Sequence, residues 1–265
     1  ADYLPEHLSV QRTNVAALER TLKQSAPGRM VVVDAMTDQD LSNAARVLSS
    51  EPERYILVGS AGLAGALRDV DAFPVGGTTT KPASRPERTR CRAILGLVGS
   101  LRQRSREQAD RLRHTREVTW IELSPGTAAD AAHTISALQQ GRDVLVTTVP
   151  PTRAQVPGDN VSSERAVVEL ARNMGDLVRR AISKVPGVGL FLTGGDTALA
   201  VFEALETRMV AVFDEIAPGV PIMLVTGRVD TGEIEVTVIT KAGGFGTENV
   251  MVDAFGCLRE GRCLQ

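Results

Sequence analysis

The sequence predicts an α/β protein with mainly parallel sheets flanked by helices and a strand-rich C-terminal part of mixed or antiparallel pairing. Three observations predict it. Short β-branched apolar runs alternate with helix-period segments from Met30 to Leu205, the pattern of a sheet covered by helices. Several of those runs stop at glycine, where a strand passes into a helix. Beyond Leu205 the apolar runs are separated only by turns at Pro218-Gly219 and Asp230-Thr-Gly232, which leaves no room for crossover helices.

Met30–Val33 reads as a strand, and Asp38-Gln-Asp-Leu41 opens a helix through Leu48, its carboxylates suited to the positive helix end. Tyr55–Val58 reads as the next strand, closed by Gly59-Ser-Ala-Gly62, with Leu63–Leu67 continuing as a helix. Phe73 to Arg92 holds Pro74, Gly76, Gly77, a threonine run, Pro82 and Pro86, with no periodic apolar face. It reads as a linker, so the expected division is residues 1–75, a linker over 76–91, and residues 92–265.

The alternation then resumes. Strands are expected at Ala93–Val98, Val118–Leu123, Asp143–Thr148 and Gly189–Leu192. Between and after them, helices are expected at Arg104–Arg113, Ala128–Leu138, Val161–Val185 and Ala198–Leu205. The long one carries Val168, Leu170, Ala171, Met174, Leu177, Val178 and Ala181 near helical spacing. Met209–Phe213, Pro221–Val225 and Glu233–Thr240 are the closing strands.

Composition narrows the function. The 265 residues carry 30 basic and 32 acidic side chains, a net charge of −2, which argues against a nucleic-acid or anionic-membrane surface. Aromatic residues at 3% are too few for base-stacking or sugar-stacking platforms. Cys91, Cys257 and Cys263 include no CxxC pair, and His7, His114 and His133 are scattered, so neither a disulfide framework nor a Cys/His metal site is expected. Cys257 and Cys263 are expected near an exposed terminus. With no long apolar run and a polar start, a cytoplasmic protein is expected; a homo-oligomer remains open.

Three glycine-containing junctions follow strands, and in open α/β sheets ligands sit beyond the carboxyl ends of strands. In Leu192-Thr-Gly-Gly-Asp-Thr-Ala198, glycines would let backbone approach an anion at a helix N-terminus, with Asp196 as a Mg²⁺ ligand and Thr197 as a donor to a phosphoryl oxygen. The alternative is a tight turn, with positive φ, in which Asp196 or Thr197 caps the helix. In Thr240-Lys-Ala-Gly-Gly-Phe-Gly246, Lys241 would neutralise a phosphoryl group, or else is a solvated lysine before a turn. At Val98-Gly-Ser100 the hydroxyl suits a nucleotide contact or a helix cap. Asp196 and Lys241 are the catalytic candidates. Trp120 reads as core, and the arginines from Arg102 to Arg116 as a solvated face.

In their order and spacing these stretches resemble the four-carbon acid sugar kinases, which include threonate, erythronate and 3-oxo-tetronate kinases. Tyr3-Leu-Pro5, Val33-Asp-Ala35 and Gly59-Ser-Ala-Gly-Leu63 look like the close of that family's first domain. The three junctions, with Pro218-Gly-Val-Pro221, look like its nucleotide-binding domain. The resemblance implies an ATP-dependent kinase acting with Mg²⁺ on a hydroxyl of a four-carbon sugar acid. It also implies ATP contacts at Ser100, Gly194, Gly195, Asp196, Thr197 and the pair Gly243-Gly244. One departure stands at the start: the family's Asp-Asp-x-Thr-Gly-Ala-like motif does not occur in this sequence. The chain is therefore expected to lack the substrate region and to be inactive alone. The alternative is a non-catalytic nucleotide-binding or regulatory module. A dehydrogenase is set aside, because no GxGxxG follows a strand.

Overall fold

The computed structural model describes residues 6–8, 15–25, 28, 30–70, 90–100, 102–124, 131–148 and 160–261. The chain divides into two compact units, Ala1–Thr80 and Lys81–Gln265. The stretch expected as a linker lies, up to residue 89, outside the described residues.

In the first unit, β1 (Glu6–Leu8) pairs in parallel with β2 (Val31–Val33), with Glu6 opposite Val31 and Leu8 opposite Val33. Helices α1 (Val15–Gln24), α2 (Asp38–Ser49) and α3 (Ala61–Arg68) complete the described part. Leu18, Leu22, Ala44, Val47 and Leu48 form its core. The α2 start is specified by a capping box. Thr37 Oγ1 accepts from the Asp40 N–H at 3.2 Å, and the Asp40 carboxylate accepts from the Thr37 N–H at 3.0 Å. The strand expected at Tyr55–Val58 is not formed. No strand pairs with it among the described residues, and Ile56 and Val58 are 95% and 90% exposed. An apolar run becomes a strand only when a neighbour takes its backbone groups.

The second unit is a seven-stranded sheet in the order β4-β5-β3-β6-β9-β8-β7. Its strands are β3 (Ala93–Val98), β4 (Val118–Leu123), β5 (Asp143–Thr148), β6 (Val188–Thr193), β7 (Met209–Ala217), β8 (Val220–Val229) and β9 (Gly232–Lys241). From β4 to β9 all pairs are parallel; β9-β8 and β8-β7 are antiparallel hairpins. β3 and β6 are buried at every residue, as strands covered on both faces must be.

Each sheet face has its own helical layer. Leu95, Leu97 and Leu190 point into a core with α5 (Ala131–Gln139), α6 (Asn160–Lys184) and α7 (Gly195–Ala204). Ile94, Val98 and Phe191 point the other way, into α4 (Gln103–Thr115) and α8 (Val250–Glu260). Neither α8 nor α1 is among the elements expected from the sequence, although Val250, Met251, Ala254, Phe255 and Leu258 of α8 have helical spacing and are all buried. Phe255 lies 6.0 Å from the Phe191 ring, over the strip of β3 where Gly96 offers no side chain. A Cβ on Gly96 would stand 2.8 Å from the Phe255 ring. Of the two cysteines expected near an exposed terminus, Cys257 is 7% exposed and disulfide-bonded, and Cys263 lies outside the described residues.

At the amino ends of the strands, Arg259 of α8 pairs with Asp143 of β5 at 2.8 Å, and Asp143 also accepts from the Ile94 N–H at 2.9 Å. Burial pushes the Asp143 carboxyl up, while Arg259 opposes that rise. Replacing Phe255 by alanine should destabilise the protein by about 3–5 kcal/mol in urea unfolding, the usual loss for a buried aromatic. A loss below about 1 kcal/mol would show that α8 does not close this core.

Candidate functional site

The site is built by register. Thr147 of β5 stands opposite Val98 of β3, Val98 opposite Thr193 of β6, and Thr193 opposite Lys241 of β9. Four parallel strands thus end on one line, and the residues after them turn at the same edge of the sheet. The order also places a switch point there. The chain leaves β3 toward β4 on one side, and β5 connects through α6 to β6 on the other.

A cleft of about 500 Å³ opens at this edge. Gly99, Ser100 and Arg102 come from the β3–α4 turn, Gly194 to Thr197 from the β6–α7 turn, and Gly243 from the segment after β9. All three glycine-containing junctions therefore meet. Val167, Leu170, Ala171 and Met174 of α6 form an apolar wall, with Thr148 beside it. Apolar walls with a few convergent polar groups are the usual make-up of a small-molecule site. Gly244 stands exposed next to the cleft, and no side chain would be met by a Cβ there.

The α7 helix begins earlier than its apolar pattern suggests, at Gly195 rather than Ala198. Gly194 is its N-cap at φ 107°, so the positive φ expected in this turn belongs to Gly194, not Gly195. Neither Asp196 nor Thr197 caps the helix: among the described residues no side chain accepts from its first turn. The first helical bond runs from Ala198 N–H to Gly194 O at 3.0 Å. The N–H groups of Gly195, Asp196 and Thr197 thus donate to nothing among the described residues, and these residues line the cleft. Asp196 is exposed at the cleft mouth, without a hydrogen bond or ion pair among the described residues.

Thr197 is turned inward. Its side chain is 3% exposed, and its Oγ1 lies where a Cβ on Gly99 would be 1.9 Å away. Gly99 is thus needed for β3 and α7 to approach this closely. Ser100 does not cap α4, whose N-cap is Arg102; instead Ser100 Oγ accepts from the Arg102 N–H at 3.3 Å.

Lys241 departs from expectation. Only 3% exposed, it is not a solvated lysine, and its side chain is not among the groups lining the cleft. Its Nζ donates to Ala242 O at 3.0 Å, Gly243 O at 3.1 Å and Ser105 Oγ at 3.3 Å. Burial pushes the amine down to about 8, with repulsion from Arg104 adding to it.

Arg102, Arg104, Arg106, Arg111 and Arg113 are exposed, as a solvated face requires, and some of them also reach neighbouring groups. Arg102 lines the cleft, Arg104 donates to Gly246 O at 3.3 Å, and Arg111 donates to Asn249 at 3.2 Å. Arg113 lies over the half-buried Trp120 ring at 5.1 Å. Among the described residues no cluster of three or more His, Cys, Asp or Glu side chains could hold a metal by itself. Nor is any helix there long and apolar enough to cross a membrane.

Comparison with known proteins extends this geometry. Residues 95–251 match the family of the nucleotide-binding C-terminal domain, and residues 4–67 that of the sugar-binding N-terminal domain. A D-threonate kinase of Bordetella bronchiseptica is 34% identical over 256 residues, covering 93% of this chain and 56% of that protein. A 3-oxo-tetronate kinase of Pseudomonas fluorescens is 26% identical over 249 residues, covering 88% of this chain and 53% of its own. A crystallised domain of unknown function from Bordetella bronchiseptica, a domain-swapped dimer with bound citrate, shares 27% identity. It covers 98% of this chain and 60% of its own, with a TM-score of 0.50. The chain spans little more than half the length of these relatives.

The two glycines of the α7 turn separate binding from folding. Gly195→Val should leave the melting temperature nearly unchanged, because nothing lies within 4 Å of a Cβ there, yet should block a ligand from the free N–H groups. Gly194→Ala should destabilise by about 1–3 kcal/mol through its backbone conformation. Thermal melts of both variants, with nucleotide titrations of the folded one, check the pair of outcomes.

Proposed function

The chain belongs to the four-carbon acid sugar kinase family, and on that premise we propose that it is the ATP-binding portion of a kinase that phosphorylates a hydroxyl of a four-carbon sugar acid. One observation carries this reading: three strand-end turns meet at a cleft with an uncapped helix N-terminus on one side and an apolar wall on the other.

The apolar wall of α6 suits a nucleobase, and the free N–H groups of α7 suit phosphate oxygens. In this reading Ser100, Gly194, Gly195, Asp196, Thr197, Gly243 and Gly244 are the ATP contacts. Arg102, which lines the same cleft, adds positive charge beside them. Phosphoryl transfer relies on positioning and charge stabilisation, and these groups supply both.

A lone carboxylate at an anion-binding helix end repels phosphate unless a cation lies between them. Asp196 is such a carboxylate, and Mg²⁺ is commonly held by one or two carboxylates together with phosphates and water. Asp196 would hold that ion, whose chemistry is to neutralise the phosphate charge. A cytoplasmic setting and a homo-oligomer accompany this reading, the latter because one relative is a domain-swapped dimer.

A second reading is a nucleotide-binding module without catalysis; an Asp-Asp-x-Thr-Gly-Ala-like motif is not part of these 265 residues. A neighbouring or in-frame coding sequence with that motif would decide for the kinase.

Calorimetry with ATP or ADP should show binding in the micromolar to millimolar range, about −8 to −4 kcal/mol. A flat titration at millimolar nucleotide on folded protein would overturn the ATP reading. The 265-residue chain alone should not turn over D-threonate or D-erythronate; rapid phosphorylation of either would put the sugar-acid site within these residues. Asp196→Asn should abolish the Mg²⁺ dependence of ATP binding while keeping the melting temperature. If metal dependence persists in that variant, Asp196 is not the ligand.

A further inference from the structure

Lys241 is a buried cation without a carboxylate partner among the described residues, and its two ends serve two different segments of the cleft. Its backbone carbonyl, the last of β9, accepts from the Gly194 N–H at 3.3 Å and so holds the start of the α7 turn. Its ammonium holds Ala242 O and Gly243 O. Ser105 of α4 accepts from the same ammonium and donates to Gly243 O at 2.8 Å, closing a small ring of bonds.

The rest of the loop is gripped from the same helix. Gln108, fully buried, donates to Thr247 O at 2.7 Å and to Phe245 O at 3.1 Å. The carbonyls of this loop are thus spent inward, toward α4. By contrast, the N–H groups of Gly243 and Gly244 donate to nothing among the described residues. Gly243 is pressed against the cleft: a Cβ there would stand 2.2 Å from Ser100 Oγ.

We infer that Lys241 is a positioning residue that, with Ser105, fixes the glycine loop at 242–247 against the α7 turn and so sets the spacing of the two phosphate-facing segments. The inference rests on the ATP reading of the cleft for its functional consequence, but not for its structural one. A lysine in this role differs from one that touches a transferring phosphoryl group. It orders the carbonyl side of the loop, and its effect reaches the ligand through backbone N–H groups. The depressed amine pKa fits such a desolvated place.

Two measurements test it on Lys241→Met and on the milder Ser105→Ala. Hydrogen exchange of the unliganded chain should show at least tenfold faster exchange of the Phe245 amide, which donates to Ala242 O at 3.1 Å, in both variants, with β3 and β6 unchanged. In calorimetry, ATP affinity should fall at least tenfold in Lys241→Met while adenosine affinity stays within about twofold, since adenosine lacks phosphates. Unaltered exchange in the loop would overturn the inference, as would equal losses for ATP and adenosine. If the wild-type chain bound neither ligand, the ATP reading would fall, and the exchange measurement would still decide the role of Lys241. Should Lys241→Met not fold, Ser105→Ala decides alone.

Discussion

The site depends on the parallel register of β5, β3, β6 and β9, which brings Thr147, Val98, Thr193 and Lys241 to one line across the sheet. Parallel pairing makes every strand end at the same edge and every following turn start there. A slip of one residue in β6 would turn its side chains to the opposite faces and carry the α7 start away from Gly99. The buried contact of Thr197 with Gly99 and the bond from Gly99 N–H to Thr193 O, 3.1 Å, are checks on that register.

The two edges of the sheet are finished in opposite ways. At the amino edge, Asp143 and Arg259 pair, and the Arg259 guanidinium also donates to the carbonyls of Arg92 and Gly141. The buried carboxylate there is paired, and each nitrogen of the half-buried Arg259 guanidinium has an acceptor. At the carboxyl edge the first turn of α7 keeps its N–H groups free, and Asp196 stays unpaired among the described residues. Polar groups left open are expensive in a core but useful in a cleft, where a ligand can satisfy them.

Between those extremes lies α4. Composition alone marks its polar residues as solvent-facing, yet Ser105 and Gln108 are completely buried. They replace the backbone partners that an irregular glycine loop lacks, so the loop can be ordered without being a strand or a helix. Gly243 in turn permits the close approach to Ser100 that brings the loop to the cleft.

By itself the sequence determined the alternation of β3 to α7, because apolar period and glycine punctuation are local signals that survive without a partner. It also marked the three glycine junctions, since free backbone at a strand end is written in residue type. The limits of that local reading are equally physical. Tyr55–Val58 has the residues of a strand but no partner among the described residues, and α8, with Val250, Met251, Ala254, Phe255 and Leu258 at helical spacing, is masked by the run of hairpins before it. Only tertiary structure decided that Gly194 carries the positive φ, that Thr197 faces the core, and that Lys241 turns inward to α4 rather than to solvent. Each of these depends on which neighbour stands across the sheet or on the next helix, and long-range register, not local composition, selects that neighbour.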